Sequence, residues 1–169
     1  MIIAQQKKKE NIAEYIIYMY QVEDMIRATQ FDLDRIEKTI INQFDTDYGT
    51  KREMREWYKG LIDRMREEGI EKSGHMKFLL DHANALYQHH LEMMEKPLNK
   101  DYKEAFEEAR PQIEALRMRS GHTKDNDVQI ALNGLYGLLI LRIQGKEIAR
   151  ETNEAFGKIS NWIAFLAKE

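Results

Sequence analysis

Hydrophobic side chains recur at helical spacing along almost the entire chain, and this periodicity constrains the fold more than any other feature. Apolar residues three or four positions apart lie on one face of an α-helix, whereas a half-buried strand alternates apolar and polar residues. No segment of the 169 residues alternates in this way over the length of a strand. The sequence therefore predicts an all-α fold.

Short polar segments separate the periodic stretches and predict six to seven mostly antiparallel helices. No linker divides the chain, so residues 1–169 are expected to form a single-domain helical bundle. Thr50 and Glu53 form a capping-box pattern that would start the third helix. Pro111 lies inside the fifth helix and predicts a kink or a restart there. The predicted helices cover about 4–28, 33–44, 50–69, 75–95, 100–119, 127–144 and 149–167.

The sixth predicted helix is apolar on opposite sides. At about 100° per residue, Val128 lies on one side and Ile130 roughly on the other. A helix that is apolar all round is covered all round. Gly134 and Gly137 would let a neighbouring backbone approach closely. We expect a central helix packed on both sides within one subunit, and the alternative is a second face that contacts another copy in a homodimer.

The composition argues against several classes of protein. The chain has 26 Lys and Arg against 29 Asp and Glu, and no basic stripe for phosphates remains once opposite charges four residues apart are paired. We therefore predict no nucleic-acid partner. The longest apolar run, 128–143, is interrupted by polar residues and is shorter than the ~20 residues that cross a bilayer, so we predict no membrane association. The absence of Cys excludes disulfides and fits a cytoplasmic location.

Four of the five histidines lie on the apolar face of the fourth predicted helix. They are His75, His82, His89 and His90. The first three are seven residues apart, so consecutive members are separated by about 10.5 Å along the helix axis. One metal ion cannot bind two ligands at that separation, because metal–nitrogen bonds are only about 2.1 Å long. The sequence therefore predicts no metal site, and any cofactor is left unknown.

Glu23 lies on the apolar stripe of the first predicted helix, where an ionised carboxylate needs a partner. Arg27 is four residues further along the helix and can reach it. The other candidates are an imidazole from the fourth predicted helix, His82 or His89, and a tyrosine from a facing helix. One interpretation is a polar core cluster that fixes helix register, and this is the one we favour. The other is a metal, substrate or proton-transfer site.

Several segments resemble an uncharacterised bacterial domain-of-unknown-function family of small all-helical proteins. The segments are Met1-Ile2-Ile3-Ala4-Gln5, Asn11-Ile12-Ala13-Glu14-Tyr15, residues 20–28, and the tail 139–169 with Lys146-Glu147-Ile148. The resemblance covers most of the chain and is strongest in the first helix. It implies a compact cytoplasmic helical protein and assigns no activity, substrate or catalytic residue.

The sequence thus favours a non-enzymatic cytoplasmic protein that acts by protein–protein interaction or self-association, with a protein partner or a homodimer as the expected assembly. The alternative is a small metal-dependent or acid–base enzyme with a site inside the bundle near Glu23 and the histidines of the fourth predicted helix. A nucleic-acid-binding regulator is a third possibility, and the charge distribution argues against it.

Overall fold

A computed structural model of the chain describes residues 1–168, and in these residues all regular structure is helical. The all-α prediction is confirmed for this part of the chain, and the predicted count of six to seven helices is too low. The elements are α1 (Ile2–Glu10), α2 (Ile12–Ala28), α3 (Leu33–Thr39), a 3-10 helix (Ile41–Gln43), α4 (Tyr48–Glu67), α5 (Lys77–Glu95), α6 (Lys100–Ser120), α7 (Asp127–Ile143) and α8 (Arg150–Leu166).

Asn11 divides the first predicted helix into α1 and α2. Its backbone is extended, with φ −158°, and its side chain accepts a hydrogen bond from the backbone N–H of Glu14. This is the N-cap arrangement for which Asn is among the preferred residues. The apolar periodicity continues across this break, so periodicity alone predicted one helix where there are two.

Two other predicted helix features differ from the structure. The cap of α4 is Asp47, which accepts a hydrogen bond from the backbone N–H of Thr50 at 2.7 Å, so Thr50 lies inside the helix. That hydrogen bond lowers the pKa of the Asp47 carboxyl. The helix α6 continues through Pro111 without a restart. Pro111 is exposed, as is Glu107 four residues earlier, so water can satisfy the carbonyl that proline leaves without a donor.

Helix α7 lies at the centre of the bundle and contacts α2, α5, α6 and α8. Its N-terminal half is buried, with Ile130 only 3% exposed, and its last turn opens to solvent, where Ile143 is 59% exposed. The two glycines differ. A Cβ at Gly134 would lie 2.6 Å from Leu116 Cδ1, whereas a Cβ at Gly137 would have no atom within 4 Å. Only Gly134 is therefore a point of close packing, and it packs against side chains rather than backbone.

Across residues 1–168, none of the helices combines the length and the apolar character needed to cross a membrane.

Candidate functional site

Glu23 is fully buried in α2, and its carboxylate is bound by the two residues that precede α5. The side chain is 0% exposed. Oε1 accepts a hydrogen bond from the backbone N–H of Met76 at 2.8 Å, and Oε2 lies 2.7 Å from Nδ1 of His75. Both carboxylate oxygens are therefore engaged, which offsets much of the cost of removing the group from water.

The turn at the end of α4 brings His75 to Glu23. Gly69 has φ +69°, and the N–H of Ile70 donates to the carbonyl of Met65 at 3.0 Å, which forms the Schellman motif typical of helix C-termini. Arg27 then donates to the carbonyl of Ile70 at 3.0 Å and to that of Gly74 at 2.5 Å. Arg27 therefore does not pair with Glu23 in the structure. It anchors to α2 the loop that carries His75.

The other two predicted neighbours of Glu23 lie in different surroundings. His82 packs against Tyr15 with ring centroids 5.9 Å apart, and burial together with the charge of Lys8 lowers the pKa of its imidazole. His89 Nδ1 lies 3.8 Å from Glu92 Oε2 on its own helix. Among the predicted histidines on this helix face, the structure joins Glu23 to His75, and His82 and His89 are not hydrogen-bonded to it.

The hydrogen bond to Glu23 decides which nitrogen of His75 carries the proton. An ionised carboxylate only accepts hydrogen bonds, so Nδ1 is the donor. In the neutral imidazole Nε2 then bears a basic lone pair, and within residues 1–168 no side chain or backbone group hydrogen-bonds to it. The ring is also held by stacking on Tyr20, with centroids 3.6 Å apart and planes inclined by 16°. The position of the His75 ring is thus fixed by one hydrogen bond and one stacked ring.

The His75 ring lines an open groove of about 920 Å³ beside α7. One part of its wall is apolar and comes from α5, α6, α7 and α8. The polar lining residues come from α7, the end of α6 and the loops before α5 and α7. The apolar side chains are Leu80, Leu116, Ile130, Leu138, Leu141 and Phe156. The polar ones are Ser73, His75, Ser120, His122, Asp125, Gln129, Asn133 and Tyr136.

Gln129 and Asn133 connect the groove to the stacked Tyr20. The amide nitrogen of Gln129 donates to the Tyr20 hydroxyl at 2.9 Å and to Oδ1 of Asn133 at 3.0 Å, which uses both of its protons. The Gln129 carbonyl oxygen and the Asn133 amide nitrogen are left for a ligand. Burial raises the pKa of Tyr20 to about 12, so its hydroxyl stays protonated at neutral pH.

The hydroxyl of Tyr136 donates to Asp24 Oδ2 at 2.5 Å and so joins α7 to α2 on the groove side of the bundle. Burial, followed by the hydrogen bond and charge of Asp24, raises the pKa of Tyr136. Tyr20, Gln129, Asn133 and Tyr136 were absent from the predicted site. The spacing of Gln129 and Asn133, four residues apart in an otherwise apolar helix, was the signal that could have identified two of them.

A second polar cluster lies in the core. His90 is 3% exposed, and its Nδ1 lies 2.7 Å from the hydroxyl of Tyr102. Trp162 Nε1 donates to the same hydroxyl at 2.9 Å, so Tyr102 links His90 to Trp162. Burial lowers the pKa of His90 and raises that of Tyr102 to about 12. This cluster joins α5, α6 and α8 and is structural.

In the part of the chain that the structure describes, no three His, Cys, Asp or Glu side chains converge as metal ligands would. At the groove, the described residues offer hydrogen-bonding groups and the imidazole of His75.

The chain belongs to a domain-of-unknown-function family, DUF4924, whose model matches residues 1–169. No curated protein and no solved structure is detectably similar to it. Membership of this family assigns no activity to the chain.

Proposed function

We propose that this protein binds a small molecule in the groove beside α7 and that His75 acts toward it as a hydrogen-bond acceptor or general base. The observation that carries the proposal is the buried carboxylate of Glu23 bonded to one nitrogen of an imidazole that lines the groove. A carboxylate that fixes the tautomer of a histidine at a concave surface is typical of binding and acid–base sites. If the Glu23–His75 pair only stabilised the fold, the His75 ring would not have to line a groove.

The chemistry follows from the hydrogen bond. Neutral His75 accepts a proton at Nε2 from a ligand hydroxyl, amide or ammonium group. In the resulting imidazolium, Nδ1 keeps its proton and stays hydrogen-bonded to Glu23, whose negative charge stabilises the cation. The proton then returns from Nε2 to the ligand or to water. Tyr20 keeps the ring plane fixed throughout, because the two rings stack.

The test uses a variant that fills the groove without disturbing the core. Gly137 lines the groove, and no atom lies within 4 Å of a Cβ built there, so Gly137→Met puts a side chain into the space. Gly60→Met is the matched control, since Gly60 is exposed on α4 and equally free of contacts. Both substitutions replace a helical glycine and should raise helix stability by about 1 kcal/mol.

Saturation-transfer NMR against a library of small polar fragments reads out binding. The wild type and Gly60→Met should bind a common subset of fragments, and Gly137→Met should lose that subset. A library in which no fragment distinguishes Gly137→Met from Gly60→Met would contradict the proposal. If the same fragments bind His75→Phe as tightly as the wild type, the groove binds ligands but the imidazole of His75 takes no part in binding them.

Self-association is the second candidate function, and the exposed end of α7 favours it. Leu141 is 38% exposed and Ile143 is 59% exposed, on a helix that is otherwise a core element. A two-fold dimer through this end would cover both side chains. Light scattering should then give twice the 20.1 kDa chain mass, and Ile143→Lys should return it to one chain. A single-chain mass for the wild type at all concentrations would refute the dimer. A cytoplasmic location is part of both proposals and is compatible with the cysteine-free sequence.

A further inference from the structure

The polar lining of the groove includes one carboxylate. It belongs to Asp125, and Glu23 lies directly behind the His75 ring. Among the residues described as lining the groove there is no Lys or Arg. The guanidinium of Arg27 is close to the loop of His75, but its donors are used by Asp24 and by two backbone carbonyls. The carboxylate that a ligand in the groove meets is that of Asp125, and His122 Nδ1 lies 3.8 Å from its Oδ2.

The charges of Glu23 and Asp125 act on a common side chain, Tyr20. Burial is the main reason that the pKa of Tyr20 rises to about 12, and the charges of both carboxylates add to the rise. The two groups therefore face one region of the protein, although one belongs to α2 and the other to the loop before α7. An anionic ligand placed there would be repelled by both, whereas a cation would be attracted.

The acceptors at this end match the donors of an ammonium group. His75 offers Nε2, Gln129 offers its carbonyl oxygen because its amide nitrogen is already bonded to Tyr20 and Asn133, and Asp125 offers a carboxylate. A primary ammonium carries three donors and no acceptor. Phosphate and carboxylate ligands carry only acceptors when fully ionised and would find no Lys or Arg among the groove residues.

The rest of the groove suits a linear hydrocarbon. Leu138 and Leu141, one turn apart on α7, face the same space as Leu80 of α5 and Phe156 of α8. Leu80 is 44% exposed and Leu141 is 38% exposed, so covering them would remove apolar surface from water. The groove thus combines the carboxylate of Asp125 with apolar side chains of α5, α7 and α8.

We propose that the ligand is a primary aliphatic amine, held by its ammonium group at His75, Gln129 and Asp125 and by its chain along Leu80, Leu138 and Leu141. This inference rests on the proposed function and adds the chemical class of the ligand. A second copy of the chain and an anionic lipid are the competing occupants, and the experiment separates them.

The experiment compares three eight-carbon probes that differ only at the head group: octylamine, octanol and octanoate. Each is titrated below its micelle concentration into ¹⁵N-labelled protein at neutral pH, and the amide signals of Gly134 and Gly137 report on the groove. Octylamine should bind, octanol should bind at least about tenfold more weakly because it lacks the charge-assisted hydrogen bonds, and octanoate should cause no shift. Gly137→Met should abolish the octylamine shifts, and Gly60→Met should retain them.

Asp125→Asn isolates the charge. It should weaken octylamine at least several-fold and leave octanol unchanged, because only the ammonium group is sensitive to the carboxylate. Octanoate binding as tight as octylamine, equal binding of octylamine and octanol, or no shift with octylamine would each overturn the amine proposal. If octylamine does not bind but some fragments still bind the wild type and not Gly137→Met, the amine is the wrong ligand class and the groove remains a binding site. A doubled mass that Gly137→Met reduces to one chain would make a second copy the occupant.

Discussion

Replacing Glu23 with Gln tests how the buried carboxylate is satisfied. Gln retains the shape of Glu and an oxygen that can accept from the N–H of Met76, and it replaces the charged oxygen that faces His75 Nδ1 with an amide. A hydrogen bond to a charged group is worth about 1.5–3 kcal/mol and a neutral replacement about 0.5–1.5 kcal/mol. The free energy of unfolding of Glu23→Gln should therefore fall by about 1–2 kcal/mol.

Urea unfolding and thermal unfolding measure this loss. For a chain of this size 1 kcal/mol corresponds to about 2–4 °C, so the midpoint should fall by about 2–8 °C. Glu56→Gln is the control, because Glu56 is exposed on α4, and it should leave the free energy of unfolding within about 0.5 kcal/mol of the wild type. If Glu23→Gln unfolds at the same midpoint as the wild type, the charged hydrogen bond to His75 does not stabilise the fold by this amount. A more stable variant would show that the protein holds the buried charge at a cost, as functional sites often do.

A double-mutant cycle identifies the partner. Glu23→Gln combined with His75→Phe, which keeps a ring for Tyr20 to stack on, should deviate from additivity by about 1 kcal/mol or more. Glu23→Gln combined with His82→Ala should be additive within about 0.5 kcal/mol, because no hydrogen bond joins those two side chains in the structure. Coupling to His82 instead of His75 would contradict the geometry described above.

Three further predictions concern the rest of the fold. Burial lowers the pKa of His90 from 6.5, so the unfolded chain binds more protons than the folded one as the pH falls. The free energy of unfolding should therefore be at its full value above pH 6.5 and should fall below it by up to about 1.4 kcal/mol per pH unit. Urea melts of His90→Gln should show a weaker dependence of the free energy of unfolding on pH. Gly134→Ala, which meets Leu116, should be less stable than Gly137→Ala by about 1–2 kcal/mol in parallel melts. Gln30 is exposed with φ +57°, a conformation that glycine adopts without strain, so Gln30→Gly should raise the free energy of unfolding by up to about 1 kcal/mol in thermal melts.

The helices and the buried carboxylate could be predicted from the sequence because both depend on local pattern. Apolar spacing identified the faces of α2, α4 and α8, and the same spacing showed that Glu23 lies on the inner stripe. The start of α7 is likewise set locally, because the side chain of Asn126 accepts a hydrogen bond from the backbone N–H of Gln129. Such features need only the residues within one or two turns of a helix.

The partner of Glu23 depends on the path of the chain between helices, which local pattern does not contain. His75 is 52 residues away in sequence, and its approach requires the turn at Gly69 and the contacts of Arg27 with two loop carbonyls. Arg27 was predicted to bind Glu23 because it is four residues further along α2. It bonds instead to Asp24 and the loop, since Glu23 points inward to Met76.

The central claim is that Glu23 holds His75 with its proton on Nδ1 and leaves Nε2 as a base in the groove. Two-dimensional ¹H–¹⁵N spectra of the imidazole nitrogens, recorded above the pKa of the ring, distinguish the two tautomers directly. The wild type should show a protonated Nδ1 and an unprotonated Nε2 for His75, and Glu23→Gln should shift the population toward the other tautomer. A wild-type His75 with its proton on Nε2, or a tautomer unaffected by Glu23→Gln, would contradict the claim.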